Sequence, residues 1–272
     1  MKSAVTICLV PEAKAGPFVF HGDLAAGVGR AGEMGFDAVE VFPPYSDDLL
    51  DVSELRRVLA DHDLRVSAIG TGAGWLVGKL TLVETDSSRK RQAMEFVWEV
   101  MDLAAQFNAP IIVGSMQGRH PEGRRHETLV RLADELASLG ERAKQVGLPV
   151  LYEPLNRYET NLFTRQAQAA DWLRSHRIDN VKILSDLFHM NIEETSLVEA
   201  LLEVGDMLGH VHFVDSNRRA AGMGHIDFRP VIAALRDIHY TGYLSAEALP
   251  LPDADAAARQ TLQTFKQLTT DN

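Results

Sequence analysis

Four short apolar runs in the second half of the chain each deliver a residue able to hold a cation. Leu-Pro-Val-Leu-Tyr runs into Glu153, Val-Lys-Ile-Leu-Ser into Asp186 and Gly-Tyr-Leu-Ser-Ala into Glu247, while His212 sits in Gly-His-Val-His-Phe. Three carboxylates and one imidazole suit a single hard or borderline divalent ion, Mn²⁺ first, with Co²⁺ or Mg²⁺ as alternatives. Zn²⁺ fits the same donors only in an open site, not in a closed structural one. Taken singly, each residue has a plainer explanation: a carboxylate after a strand caps the next helix, and a strand histidine is a hydrogen-bonded core residue. Their shared position, at separations of 33, 26 and 35 residues, argues for one common site. His210 lies two residues before His212, so strand alternation turns both to one face. His212 is the expected ligand and His210 its buried support.

Residues spaced this way converge only if the runs are neighbouring strands. Apolar, β-branched runs recur at Val5–Val10, Ala38–Phe42, Val66–Ile69, Pro110–Val113, Pro149–Tyr152, Val181–Leu184, His210–Val214 and Tyr243–Ala246. Amphipathic stretches separate them. Leu129, Leu132, Ala133, Leu136, Leu139, Ala143 and Val146 form one helical stripe, and Met94, Val97, Trp98, Met101 and Ala105 form another. Strict alternation of this kind gives a parallel sheet, and units of about 34 residues match the repeat of a (β/α)₈ barrel. The expected architecture is a single TIM-barrel domain over residues 1–272, with reactive groups at the C-terminal strand ends.

An open doubly wound sheet also alternates, but its nucleotide signature is a glycine-rich turn after the first strand. Here that turn reads Pro-Glu-Ala-Lys-Ala-Gly. Gly70-Thr-Gly-Ala-Gly74 lacks the dinucleotide spacing and reads as a loop that approaches a ligand or another backbone closely, or as a plain tight turn.

Composition narrows the partners. A net charge of −11 over 272 residues opposes binding to phosphate backbones, so no nucleic-acid partner is expected. Cys8 is the only cysteine, which excludes an intrachain disulfide and suggests a reducing compartment, with Cys8 packed in a strand. The apolar start reads as a first strand rather than a signal segment, and no run of about 18 apolar residues suggests a membrane span. A soluble, cytoplasmic protein is expected, with assembly into a homo-oligomer left open. Thr269–Asn272 should fray.

Three longer strings carry a resemblance. Tyr-Glu-Pro-Leu-Asn-Arg-Tyr-Glu-Thr-Asn-Leu (152–162), Asp-Leu-Phe-His-Met-Asn-Ile-Glu-Glu (186–194) and His-Phe-Val-Asp-Ser-Asn-Arg-Arg-Ala-Ala-Gly-Met-Gly-His-Ile-Asp-Phe (212–228) resemble the xylose-isomerase-like sugar epimerases and isomerases. Within that superfamily they are most similar to ketose 3-epimerases of the D-tagatose and D-psicose type and to epimerases of keto-sugar acids. The likeness is specific over residues 150–250 and only architectural before them. It implies that Glu153, Asp186, His212 and Glu247 bind the metal and that Glu159, His189 and Arg218 contact a small sugar or sugar-acid substrate. Leu187 departs from the pattern, since relatives carry threonine or another small polar residue there.

Chemistry follows from likeness and physics together. A cation chelated by a sugar carbonyl and its neighbouring hydroxyl acidifies the intervening C–H and stabilises a cis-enediolate. Epimerisation at C3 then needs a proton removed from one face and returned to the other, roles suited to Glu153 and Glu247 as opposed acid and base. His189 and Arg218 would donate to substrate oxygens, and Glu159 would position hydroxyls; the plainer explanations make Arg218 a solvated loop cation and Glu159 a surface residue. An aldose–ketose isomerase on the same metal site needs only one base and remains the alternative. A DNA-repair endonuclease of the same barrel type would need more histidine ligands and a basic face, and a non-catalytic sugar binder has no use for paired carboxylates. Arg218 and Arg219 leave free ketoses and keto-sugar acids both open, while no second basic cluster supports a phosphate.

Overall fold

The computed structural model describes residues 1–46 and 50–270. Nine strands form one sheet: β1 (Lys2–Cys8), β2 (Phe20–His21), β3 (Ala38–Phe42), β4 (Arg65–Gly70), β5 (Ile111–Val113), β6 (Val150–Tyr152), β7 (Val181–Asp186), β8 (Leu208–His212) and β9 (Tyr243–Ala246). Every pairing in this sheet is parallel. β1 joins β3, pairing runs in order from β3 to β9, and β9 returns to β1 through Lys2↔Tyr243 to Val5↔Ala246. Eight strands thereby close a barrel, and two-residue β2 lies against the free end of β1 at Ile7 and Cys8.

Sequence alternation decides what each strand face meets. In β3 the interior receives Glu40, whose carboxylate reaches His210 and His212 of β8, so Val39 and Val41 turn outward to the helices. The helix layer is built on the same logic. Arg125–Gln145 buries Leu132, Leu136, Leu139 and Ala143 on one stripe, and Ser87–Ala105 buries Ala93, Phe96, Val97 and Val100. Aspartates start many of these helices. Asp23, Asp51, Asp86, Asp227 and Asp253 each accept a hydrogen bond from a first-turn backbone N–H, worth about 1 kcal/mol apiece.

Several expected boundaries move. The first strand is Lys2–Cys8 rather than Val5–Val10, because Asp37 accepts from both the backbone and hydroxyl of Ser3 and Pro11 opens a 3₁₀ turn just past Val10. The strand expected at His210–Val214 spans Leu208–His212, with Val214 forming an isolated antiparallel bridge to Ala220 instead. Gly70–Gly74 is not a loop: Gly70 ends β4 and Gly72–Leu76 is a short helix. Its close approaches are to side chains. A Cβ at Gly70 would collide with the Phe42 ring, and one at Gly74 with Met116 and Phe96. The last helix runs regularly to Thr269, while Asp271 and Asn272 lie outside the described residues. No helix among the described residues is long and apolar enough to cross a membrane.

Candidate functional site

At the C-terminal mouth of the barrel, Glu153, Asp186, His212 and Glu247 bring one donor atom each to within 4.8 Å of one another, all four buried. Glu153 follows β6, where its backbone N–H donates to the Val113 carbonyl at 3.1 Å. Its carboxylate occupies space that only Gly114 leaves free, since a Cβ there would strike Oε2. Asp186 ends β7 and caps the helix Leu187–Glu193, its Oδ1 accepting from the N–H of Phe188 at 2.8 Å and of His189 at 3.1 Å. Oδ2 is left for the centre, 3.1 Å from His212 Nδ1. The capping role and the ligand role therefore fall on different oxygens of one side chain. Leu187, the apolar departure, is fully buried at the first position of that inner helix.

His212 is oriented from behind. Its Nε2–H donates to Glu40 Oε1 at 3.1 Å, while Glu40 Oε2 accepts from His210 Nε2 at 2.7 Å. That assignment leaves Nδ1 facing Asp186 at 3.1 Å, Glu247 at 3.3 Å and Glu153 at 3.5 Å, a position where it donates when the ring is protonated and can ligate a cation when it is not. An imidazole held by a carboxylate through its other nitrogen is the usual support of a metal-binding histidine.

The charges also fit a cation. Burial opposes charge on His212, but Glu247, Glu40, Asp186 and Glu153 outweigh it and raise its pKa well above the usual value. Burial raises the Glu153 pKa, with Glu247 adding to the effect against His212 and His189. Asp186 is drawn the other way: burial is overcome by Arg218, His189 and His212, and its carboxyl lies well below the usual range. Without a divalent ion, Glu153 and His212 thus hold their protons more tightly than usual, and a cation would displace them. Four buried donors, three of them carboxylates, around one point form a fitting metal site.

Above this floor opens a cavity of about 780 Å³, with Glu153, Glu247, Glu159, His189 and Arg218 among its lining. Arg218 is no solvated loop cation. It donates to Glu247 and lies 3.0 Å from Asp186 Oδ2, with its guanidinium 4.8 Å above the Phe188 ring. It adopts φ +62°, unusual for a residue other than glycine, in a loop folded around Asp215. The buried Asp215 carboxylate accepts from the N–H groups of Ser216, Gly222 and Ile226. His189 is held as firmly: Asn156 donates to its Nδ1 from the side chain at 2.7 Å and from the backbone at 3.3 Å. Its Nε2 is therefore the protonated nitrogen, and it faces Glu153 at 3.8 Å. Glu159, with a half-exposed side chain, accepts from the same Asn156 at 2.8 Å.

All seven residues singled out in the sequence meet at this mouth, while Glu40, Gly114, Asn156 and Asp215 escaped sequence reasoning. Glu40 alone left a signal, a lone carboxylate inside the apolar run Ala-Val-Glu-Val-Phe, where an unpaired charge would be costly.

Comparison with known proteins agrees in fold and in kind. The family model described as "Xylose isomerase-like TIM barrel" matches residues 28–268. A 3-dehydro-D-guloside 4-epimerase from Escherichia coli (strain K12) is 30% identical over 79% of this chain and 83% of the relative. A ketose 3-epimerase from Arthrobacter globiformis is 29% identical over 90% of this chain and 84% of its own. Among solved structures, a D-allulose 3-epimerase from Methylomonas sp. in complex with D-allulose superposes with a TM-score of 0.82 at 23% identity, covering 98% of this chain and 97% of the other.

Proposed function

The chain belongs to the xylose isomerase-like TIM-barrel family, and from that premise we propose that it is a divalent-metal-dependent epimerase inverting a carbon next to the carbonyl of a keto sugar. That it is an isomerase-class enzyme acting on sugars is supported by relatives that are named sugar epimerases. The observation that carries the reaction type is the position of Glu153 and Glu247: both flank His212 Nδ1 and both line the cavity. A divalent ion held by Glu153, Asp186, His212 and Glu247, with Mn²⁺ the best match to the donors, would supply Lewis-acid polarisation of the carbonyl.

The chain's own residues would do the rest. Glu153 and Glu247 come from strands three positions apart around the barrel, so a sugar lying between them meets one carboxylate on each face. One removes the C–H proton and the other returns a proton to the opposite face. His189, with Asn156 fixing its tautomer, offers an Nε2–H to a substrate oxygen. Arg218 holds Glu247 in place and presents a second donor, and Glu159 accepts from a hydroxyl further along the sugar.

The test is proton exchange. Metal-loaded protein incubated with ketoses in heavy water should place deuterium on the carbon next to the carbonyl and invert it, as read by NMR. Glu153→Gln and Glu247→Gln should each lower turnover by roughly 10²–10⁴-fold, while exchange without inversion persists from the remaining face. Substantial epimerisation by either variant would refute the two-base assignment. Label at C1 or C2 with one dispensable glutamate would indicate an aldose–ketose isomerase instead.

A further inference from the structure

Strands β5 and β6 are short. Their pairing ends at Val113↔Tyr152, and the Glu153 N–H then donates to the Val113 carbonyl at 3.1 Å. One position further on, a single side chain spans the two segments. Gln117, fully buried at the end of the 3₁₀ turn Ser115–Gln117, donates from Nε2 to the Gly114 carbonyl at 3.0 Å and to the Glu153 carbonyl at 2.9 Å. Both carbonyls can only accept, which fixes the orientation of the carboxamide. Its Oε1 accepts from the Tyr152 hydroxyl at 2.7 Å, and burial pushes the Tyr152 phenol up, so that group stays a donor. The Thr160 hydroxyl lies 3.5 Å from the same oxygen and donates to the Gly118 carbonyl at 3.0 Å.

A buried carboxamide with its donors and acceptor all engaged resists displacement, because any shift would leave a buried polar group unpaired. What it fixes is the spacing between the chain after β5 and the chain after β6. Glu153 depends on that spacing. Its carboxylate lies in the space left by the missing Cβ of Gly114, and it reaches to within 3.5 Å of His212 Nδ1. Strand alternation turns Tyr152 to the opposite face of β6, so Gln117 grips this strand from behind the carboxylate. Glu247 is held by other groups: Arg218 donates to it, and its own N–H donates to the Ser245 carbonyl at 3.1 Å.

Resting on the epimerase reading, we propose that Gln117 is a positioning residue for Glu153, setting one face of the proton transfer and leaving the other face to Glu247. Its effect is indirect. Gln117 is not among the residues lining the cavity and acts through the backbone that carries Glu153. A reacting group misplaced by about 1 Å can lose roughly 10²-fold in rate, while the carboxylate on the opposite face keeps its geometry.

Two C3 epimers of one ketose, D-fructose and D-psicose, separate the faces, because their C3–H bonds point opposite ways. Each is incubated in heavy water with Mn²⁺-loaded protein, and deuterium at C3 is followed by NMR. Gln117→Met keeps the side-chain length and removes both donors and the acceptor; it should slow exchange by roughly 10²-fold for one epimer. The other epimer should continue to exchange near the wild-type rate, without inversion. Tyr152→Phe removes only the bond to Oε1 and should slow the same epimer by a smaller factor. Isothermal titration adds a readout that needs no substrate: Gln117→Met should bind Mn²⁺ at least about tenfold more weakly, since Glu153 is a ligand. Equal slowing of both epimers, or wild-type exchange and Mn²⁺ affinity in folded Gln117→Met, overturns the proposal. Should Gln117→Met fail to fold, the same comparison of epimers in Tyr152→Phe decides. A wild-type protein that exchanges neither epimer removes the epimerase reading for free ketoses, and the Mn²⁺ titration then decides by itself whether Gln117 positions Glu153.

Discussion

At the residue scale, the site is an arrangement of side chains each constrained by a second partner. Asp186 shares its two oxygens between a helix and the centre. His212 is held by Glu40, and His189 by Asn156. Glu40 shows what such support implies for pH. Burial would raise its pKa, but His212 and His210 hold it well below the usual carboxylate range. A depressed carboxyl contributes stability above its unfolded pKa and loses it as the pH falls toward the folded value. Asp186 has the same sign. Metal-free protein should therefore lose stability progressively as the pH drops below about 4.5, and Glu40→Gln should flatten that part of the curve in urea unfolding titrations. An unchanged acid limb in Glu40→Gln would remove the role assigned to the His210–Glu40–His212 chain. The three carboxylates could be read from the sequence because each terminates an apolar run, and His212 because it sits inside the run between Asp186 and Glu247. Asn156 could not, because nothing local distinguishes a loop asparagine that fixes an imidazole from one that completes a turn.

At the element scale, the strand ends set the site, and alternation located most of them. Ala38–Phe42 and Tyr243–Ala246 lie where the sequence places them, since each is a short apolar run with clear flanks. β1 and β8 shifted because hydrogen bonds outside the run, from Ser3 to Asp37 and from Val214 to Ala220, decide where pairing starts and stops. Glycines were legible as unusual positions but not as to purpose, because the atom that would clash comes from a distant strand. Gly114 is the sharpest case, admitting the Glu153 carboxylate across the β5–β6 boundary. Gly114→Ala should cost about 1–3 kcal/mol of stability as overpacking. Its larger effect should be on the centre, a fall in Mn²⁺ affinity of at least about tenfold, as when a ligand's support is lost. Isothermal titration would show it, and wild-type affinity in a folded Gly114→Ala protein would contradict the geometry.

At the scale of the whole molecule, the second half supplies the donor cluster and the first half most of the cavity wall, which is why sequence motifs reached one and not the other. Cavity-lining residues such as Phe18, Phe42 and Trp75 look like ordinary apolar positions until the barrel closes. The floor couples to global stability, because a cation that binds only the folded state stabilises it by mass action. At a free concentration a hundred times its Kd the gain is about 2.7 kcal/mol, seen as a rise in Tm of several degrees. Adding Mn²⁺ to metal-stripped protein should produce that rise and a chelator should reverse it; no shift with Mn²⁺, Co²⁺, Mg²⁺ or Zn²⁺ would exclude a metal centre.

The pairing of β1 with β9 has a topological consequence. Helices of the barrel run back antiparallel to the strands, so the end of the helix Ala254–Thr269 and the start of β1 both lie on the face opposite the site. Joining them with a short linker and opening the chain at the exposed turn Val146–Gly147, on that same face, gives a circular permutant. Every strand pairing is retained in it, and Glu153, Asp186, His212 and Glu247 fall within its leading segment. Such a permutant should fold and bind Mn²⁺ with an affinity close to that of the original order, because a closed barrel has no structural first strand.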